Sequence, residues 1–235
     1  MKRFYSSVTL QNDKTENGQE AFQVFLDERP LKTPQKRPVF LPSLALAKAI
    51  QAEWAAVKED IKADMMPCFS MAVTVIDRVS PHRKALMDEL VRYAGNDVIC
   101  YRANQEDQPL LERQTTIWDR WLEWASHQHS LALHKTHGLM PVTQSEQSLA
   151  IAHDLMAGLT DWQLGCVYRA VTLCGSFILG LAFFQHEIDA EQLFTIAFLE
   201  ELYQNELWGL DAEAVERQNA IRAELSEIEK FLAFL

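Results

Sequence analysis

The spacing of apolar positions along the chain changes once, near residue 42. Before that point the pattern is that of short strands. Ala21-Phe22-Gln23-Val24-Phe25-Leu26 has the β-branched and aromatic content of a strand, and Asp27-Glu28-Arg29-Pro30 ends it. Pro34, Pro38 and Pro42 divide the next stretch into short extended pieces, since proline cannot donate to a sheet ladder. The polar segment Asn12 to Gly18 reads as a hairpin loop. Strands this short need another body to dock on.

After Pro42 the spacing becomes helical. Ser43 is placed to cap a run with Ala47, Ile50, Trp54 and Val57 on one face. Phe69 to Val79 reads as a short apolar helix ending near Ser80-Pro81, and Leu86, Leu90 and Val91 line the next, stopped by Gly95. Asp97 to Arg102 reads equally as a strand or a continuing helix. Leu110 to about His127 carries Ile117, Trp118, Trp121, Leu122 and Ala125. Three capping boxes are expected: Thr143 with Glu146, Thr160 with Gln163 opening a long helix from Asp161 to Phe184, and Asp189 with Gln192 opening one that ends at Trp208-Gly209. Asp211 starts a final charged helix. Strands first and helices after is an α+β order, with a small β region at 1–42 and a larger all-α domain at 43–235. No internal repeat or low-complexity tract is visible.

Composition narrows the function more than the fold. At 235 residues, 48% hydrophobic, the chain can build a real core. Its net charge of −11 argues against a nucleic-acid partner, because phosphate backbones need clustered Lys and Arg. Cys68, Cys100, Cys166 and Cys174 form no CxxC pair and sit among apolar neighbours, as buried reduced thiols do. The opening Met1-Lys2-Arg3-Phe4-Tyr5 has no apolar signal core and no long transit segment, so a bacterial cytoplasmic protein, or a trimmed mitochondrial matrix form, is expected. The uncharged run Ala170 to Phe184 falls short of the roughly 20 apolar residues of a membrane span; a buried helix with small residues for close packing is expected. No stable membrane insertion and no cofactor are anticipated.

Candidate chemistry is sparse. There is no GxSxG, P-loop or GxGxxG. His127, His129, His134 and His137, with Asp119 and Glu123 near, raise a metal-dependent hydrolase as the alternative function, but HxH and HxxH straddle a helix end and no HExxH is present. Trp118, Trp121 and Trp124 step around a helix by about 60° each, so one ring, taken as Trp121, is expected at a partner surface while Trp118 packs. Leu199 to Gly209 sets acids, an amide and aromatics at helical spacing before a glycine stop. Glu200 and Gln204 share a face, and Glu201 lies about 100° away. Such a strip suits recognition of another protein and not acid–base work.

Several segments, in order, resemble the assembly chaperones of the ATP synthase catalytic head that bind the alpha subunit. They are Leu26 to Pro34, Leu46-Ala47 with Glu53-Trp54, Met66-Pro67 followed by Ile76-Asp77, Asp97 to Ala103, Gln114 with Trp118-Asp119, Trp124-Ala125, and Leu199 to Gln204 with Trp208-Gly209. Arg120 stands where the family's Trp-Asp-Pro has its proline. The resemblance implies a non-enzymatic role, holding the new alpha subunit until the beta subunit replaces it. It further implies that the Glu of the acidic segment, Glu201 or its neighbour Glu200, matters for function, and it carries the Trp of the Glu-Trp pair over to Trp54 in a structural role. Gln204, Trp208 and Trp121 are expected beside them at the partner surface, Asp97 and Trp118 in structural roles, and the protein as a monomer.

Overall fold

The computed structural model describes residues 2–14, 18, 20–138 and 140–235; residues 15–17 of the expected Asn12–Gly18 hairpin loop lie outside them, while Asn12, Asp13 and Lys14 belong to a strand. The chain divides into two compact units, the first formed by Met1–Arg83, Asp161–Gly165 and Lys230–Leu235, the second by Lys84–Thr160 and Cys166–Glu229. These units do not follow a 42/43 boundary. The first two helices after residue 43 belong with the strands, because strands this short stay folded only against an apolar helical face.

In the first unit, β1 (Val8–Lys14) pairs antiparallel with β2 (Glu20–Leu26) in the register Val8↔Leu26 to Lys14↔Glu20. The short β3 (Arg29–Pro30) pairs with β2 on its other edge, giving the order β1-β2-β3. Asp27 turns the chain at φ 54, and its carboxylate accepts from the Ser6 and Ser7 amides at 3.0 and 2.9 Å. These bonds hold the Asp27 carboxyl below the usual carboxylate range. Helix α1 (Leu44–Ala56) is capped by Ser43 and buries Leu46, Ala47, Ile50 and Trp54, matching the expected stripe.

Two of the sequence segments that seemed separate are joined here. Glu53 accepts from the Cys68 and Phe69 amides at 2.7 and 2.9 Å, in the first turn of α2 (Pro67–Thr74). Pro67 has no amide to satisfy, so one carboxylate serves the next two free donors of that turn. Thr33 donates its hydroxyl to the buried Asp77 at 2.9 Å, and Arg37 donates to the Ile76 carbonyl at 2.8 Å. The helix does not stop at Ser80-Pro81. It widens into a π turn over Val75–Val79 and continues as α3 (Ser80–Gly95), with the irregularity at His82 (φ −120, ψ 18). Pro81 lacks an N–H, so one rung of the helical ladder is missing where the π turn passes into α3.

The second unit is helical except for one small pairing. After α3 a 3-10 turn (Val98–Cys100) leads to β4 (Tyr101–Arg102), which pairs parallel with β5 (Thr136–His137); the Asp97–Arg102 segment is thus part turn, part strand. Between them runs α4 (Gln108–His129). Then come α5 (Glu146–Ala157), α6 (Asp161–Cys174), α7 (Phe177–Phe184), α8 (Ala190–Ala197), α9 (Leu199–Trp208) and α10 (Ala212–Leu232). The cap of α5 is Ser145 and not Thr143. The expected long helix 161–184 is broken: Gly175, at φ 71, ends α6, and Ser176 caps α7. A Cβ on Gly180 would stand 2.4 Å from a Val171 methyl, so the small residue does permit close packing, between two helices of this chain. The Asp189–Gln192 capping box forms as expected, but the helix it opens is interrupted at Phe198.

Asp97 ties this unit together. Fully buried, it accepts from the Ile99 amide at 3.2 Å and from the Ile178 amide in the first turn of α7 at 3.0 Å. Burial still pushes its carboxyl up to about 6, against the pull of the hydrogen bonds. All four cysteines are free and buried, and burial pushes the Cys166 and Cys174 thiols up to about 12.

Candidate partner-binding site

Helix α9 is held from two directions within the second unit. Its packed residues are Leu199 and Tyr203. The Arg113 guanidinium of α4 lies 4.9 Å from the centre of the Tyr203 ring and pairs with Glu206 at 2.7 Å. From α10, Arg217 pairs with Glu201, and Gln218 donates to the same carboxylate at 2.6 Å. The structure therefore divides the acids. Glu201 and Glu206 bind the helix to its neighbours, and Glu200 faces solvent.

The supports of α9 are themselves fixed. The Trp118 indole N–H donates to the Ile196 carbonyl of α8 at 2.8 Å, joining α4 to α8. Arg102 lies 5.0 Å from the centre of the Trp118 ring, donates to the Gln114 carbonyl at 2.7 Å, and pairs with Asp119 at 2.7 Å. Lys135 reaches the other Asp119 oxygen at 2.8 Å, and Gln114 accepts from the Ala103 amide at 2.6 Å. Arg102, Ala103, Gln114, Trp118 and Asp119 all lie in segments that carry the family resemblance, and they converge on one scaffold. Arg222 of α10 adds a guanidinium 3.8 Å from the Phe194 ring centre and an ion pair with Glu191.

What remains outward on α9 is a graded strip. Glu200 is at one end, met only loosely by Gln204 at 3.5 Å. At the other end Leu207, Trp208 and Leu210 are 56%, 78% and 71% exposed. Gly209, at φ 87, ends the helix, and a Cβ added there would meet nothing within 4 Å. Neighbouring exposed apolar residues of this size make this end of α9 a candidate interaction surface. Helical periodicity misses Leu207, because the spacing 199-203-207 places it on the packed stripe. The structure leaves it exposed all the same. No local pattern signals that, nor the Arg113 and Arg217 clamps.

Trp121 is 4% exposed, so its ring is core and not a docking anchor; the half-buried ring of this series is Trp124, edge-on to Trp121 and His129. Trp54 packs in the first unit against Tyr5 and Phe69. The histidines do not gather. His129 contacts Gln185 and His137 contacts the Ala103 carbonyl, and among the described residues no three His, Cys, Asp or Glu are placed to hold a metal. Among the same residues no helix is long and apolar enough to cross a membrane.

Known proteins match this arrangement over its whole length. The crystal structure of Atp12 from Paracoccus denitrificans superposes with a TM-score of 0.93 and 36% identity, covering 99% of this chain and 97% of that one. An aspartate-to-lysine mutant of the same protein matches equally well. The family model described as ATP12 chaperone protein matches residues 2–126. This chain belongs to the ATP12 chaperone family. The resemblance drawn from its ordered segments is thereby borne out. A putative chaperone from Agrobacterium tumefaciens shares the fold at a TM-score of 0.88 and 34% identity, over 99% of this chain and 85% of that one. The mitochondrial protein atp12 of Schizosaccharomyces pombe is 26% identical over 232 residues, which is 93% of this chain and 77% of that protein. The family model stops before α9, so the exposed strip rests on the full-length structural matches and on its own geometry.

Proposed function

We propose that this protein is an assembly chaperone of the proton-translocating ATP synthase, a monomer that holds the unassembled alpha subunit and releases it when the beta subunit arrives. Membership of the ATP12 chaperone family supports a holding role, and the resemblance of its segments supports the alpha subunit as client. The observation that carries the reading is the exposed trio Leu207, Trp208 and Leu210 at one end of α9, with the exposed Glu200 at the other. An unassembled ring subunit exposes apolar interface that aggregates unless covered. One aromatic anchor flanked by two leucines, with one exposed carboxylate, gives an affinity that a larger native interface can displace, since hot spots and not area set affinity.

The test is co-expression with the cognate alpha subunit, pull-down, and challenge with the beta subunit. Soluble alpha subunit should be captured and then released on adding beta. Failure to capture an assembly-competent alpha subunit overturns the reading.

A further inference from the structure

The first unit carries a feature that the α9 strip does not use. A cavity of about 460 Å³ opens beside β3, walled by Phe4, Leu26, Leu31 and Trp54 and edged by Arg29 and Lys32. Leu26, Leu31 and Trp54 are buried, while Phe4 is 55% exposed. The Trp54 indole N–H is buried with no acceptor among the described residues, an expense of about 1–3 kcal/mol that a polar group entering the cavity could relieve. Neither Arg29 nor Lys32 forms an ion pair within 4 Å among those residues. The charge is locally inverted as well. Residues 1–43 hold seven Lys and Arg against five Asp and Glu, net +2, in a chain of net −11. An apolar cavity of this size with a few polar groups at its edge is the general form of a binding site.

We propose that this cavity receives an extended acidic segment of a client polypeptide, with an apolar side chain against Leu26, Leu31 and Trp54 and flanking carboxylates at Arg29 and Lys32. Charge selects the occupant: the two cations favour an acidic chain, and the aromatic wall requires an apolar side chain between the acids. A polypeptide is the occupant consistent with a chaperone, and the inference does not depend on which subunit is the client. It is tested on the chaperone alone, so its failure leaves the α9 reading untouched.

The probe is the peptide acetyl-Glu-Leu-Glu-Phe-Glu-amide, titrated into the full chain while the Trp54 indole N–H resonance, assigned with Trp54→Phe, is followed by NMR. A saturable shift of that resonance is expected, weakened at least 10-fold in Arg29→Glu/Lys32→Glu. Both positions are solvent-exposed, and an unchanged indole spectrum elsewhere verifies that the variant is folded. The lysine counterpart, acetyl-Lys-Leu-Lys-Phe-Lys-amide, should leave the resonance in place. No shift at millimolar peptide, equal response to the two peptides, or undiminished binding by the variant overturns the proposal. So does a shift produced by phosphatidylglycerol vesicles and not by the acidic peptide, which would make the site a lipid contact.

Discussion

The carboxylate of Glu201 is paired with Arg217, sixteen residues further along the chain, and this pair fastens α9 to α10. The adjacent Glu200 has no such partner among the described residues and faces solvent. Two neighbouring acids with the same local sequence signal therefore do different work. Glu200→Lys should leave the thermal midpoint within about 2 °C of wild type while weakening capture of the alpha subunit at least 10-fold. Glu201→Lys loses the pair and sets two cations together. The pair is half-exposed and screened, so a cost of about 1–2 kcal/mol is expected, a fall of some 2–8 °C in a chain of this size. Calorimetry with a pull-down on both variants separates the roles; a Glu200→Lys protein that captures normally removes Glu200 from the interface.

Trp208 is 78% exposed, so truncating it removes little packing within the chain. Trp208→Ala should unfold within about 0.5 kcal/mol of wild type. If the ring anchors the client, the same change weakens binding by about 2 kcal/mol or more, roughly 30-fold. Urea unfolding and a binding isotherm on the one variant check both. Lost stability without lost affinity would make Trp208 a structural residue.

Much of this architecture was legible in the sequence because its signals are local. The Ser43 cap, the 47-50-54 stripe and the Asp189–Gln192 box depend on neighbours within a turn or two, and all appear as read. The errors lie where tertiary packing decides. Nothing near Ser80-Pro81 reveals that the helix continues through a π turn; the break at Gly175-Ser176 is the exception, a local glycine stop and serine cap set inside an apolar run. At the candidate site the sequence pointed to α9 and could not sort its acids, because Arg113 and Arg217 come from other helices. Trp121 failed for the same reason: spacing shows that three rings cannot share one narrow stripe, not which of them the rest of the chain covers.

Asp97 makes the second unit sensitive to pH. Its folded-state value of about 6 exceeds the usual 3.8, so between those limits the folded protein binds more protons than the unfolded chain. The stabilisation from this group is thus full below about pH 4 and declines as pH rises through 6, by on the order of 2–3 kcal/mol. Asp97→Asn cannot titrate and loses one acceptor for the Ile99 and Ile178 amides. It should be less stable than wild type, with a gap that narrows by that amount between pH 4 and 7. Urea titrations across this range test the sign: a gap that widens with pH means the amide donors outweigh desolvation and the carboxylate is ionised throughout.

The approach of α6 and α7 offers a test that no partner confuses. A methyl group on Gly180 would lie 2.4 Å from the Val171 Cγ2 and 3.3 Å from the Val171 amide nitrogen. The first contact could yield by a rotation of valine. The second involves backbone, and Val171 is itself fully buried, so the helices must part. Cores of normal density lose about 1–3 kcal/mol to such overpacking, and more when backbone has to move. Helix propensity pulls the other way, since alanine is favoured over glycine in a helix by about 1 kcal/mol. The balance still goes against Gly180→Ala, and a net loss of about 1–2 kcal/mol is expected. Adding Val171→Ala removes the clashing methyl groups and should make the second change less costly than the two single effects combined. A double-mutant cycle by urea unfolding measures this coupling directly, and strict additivity would mean that the helices are not in contact at this pair.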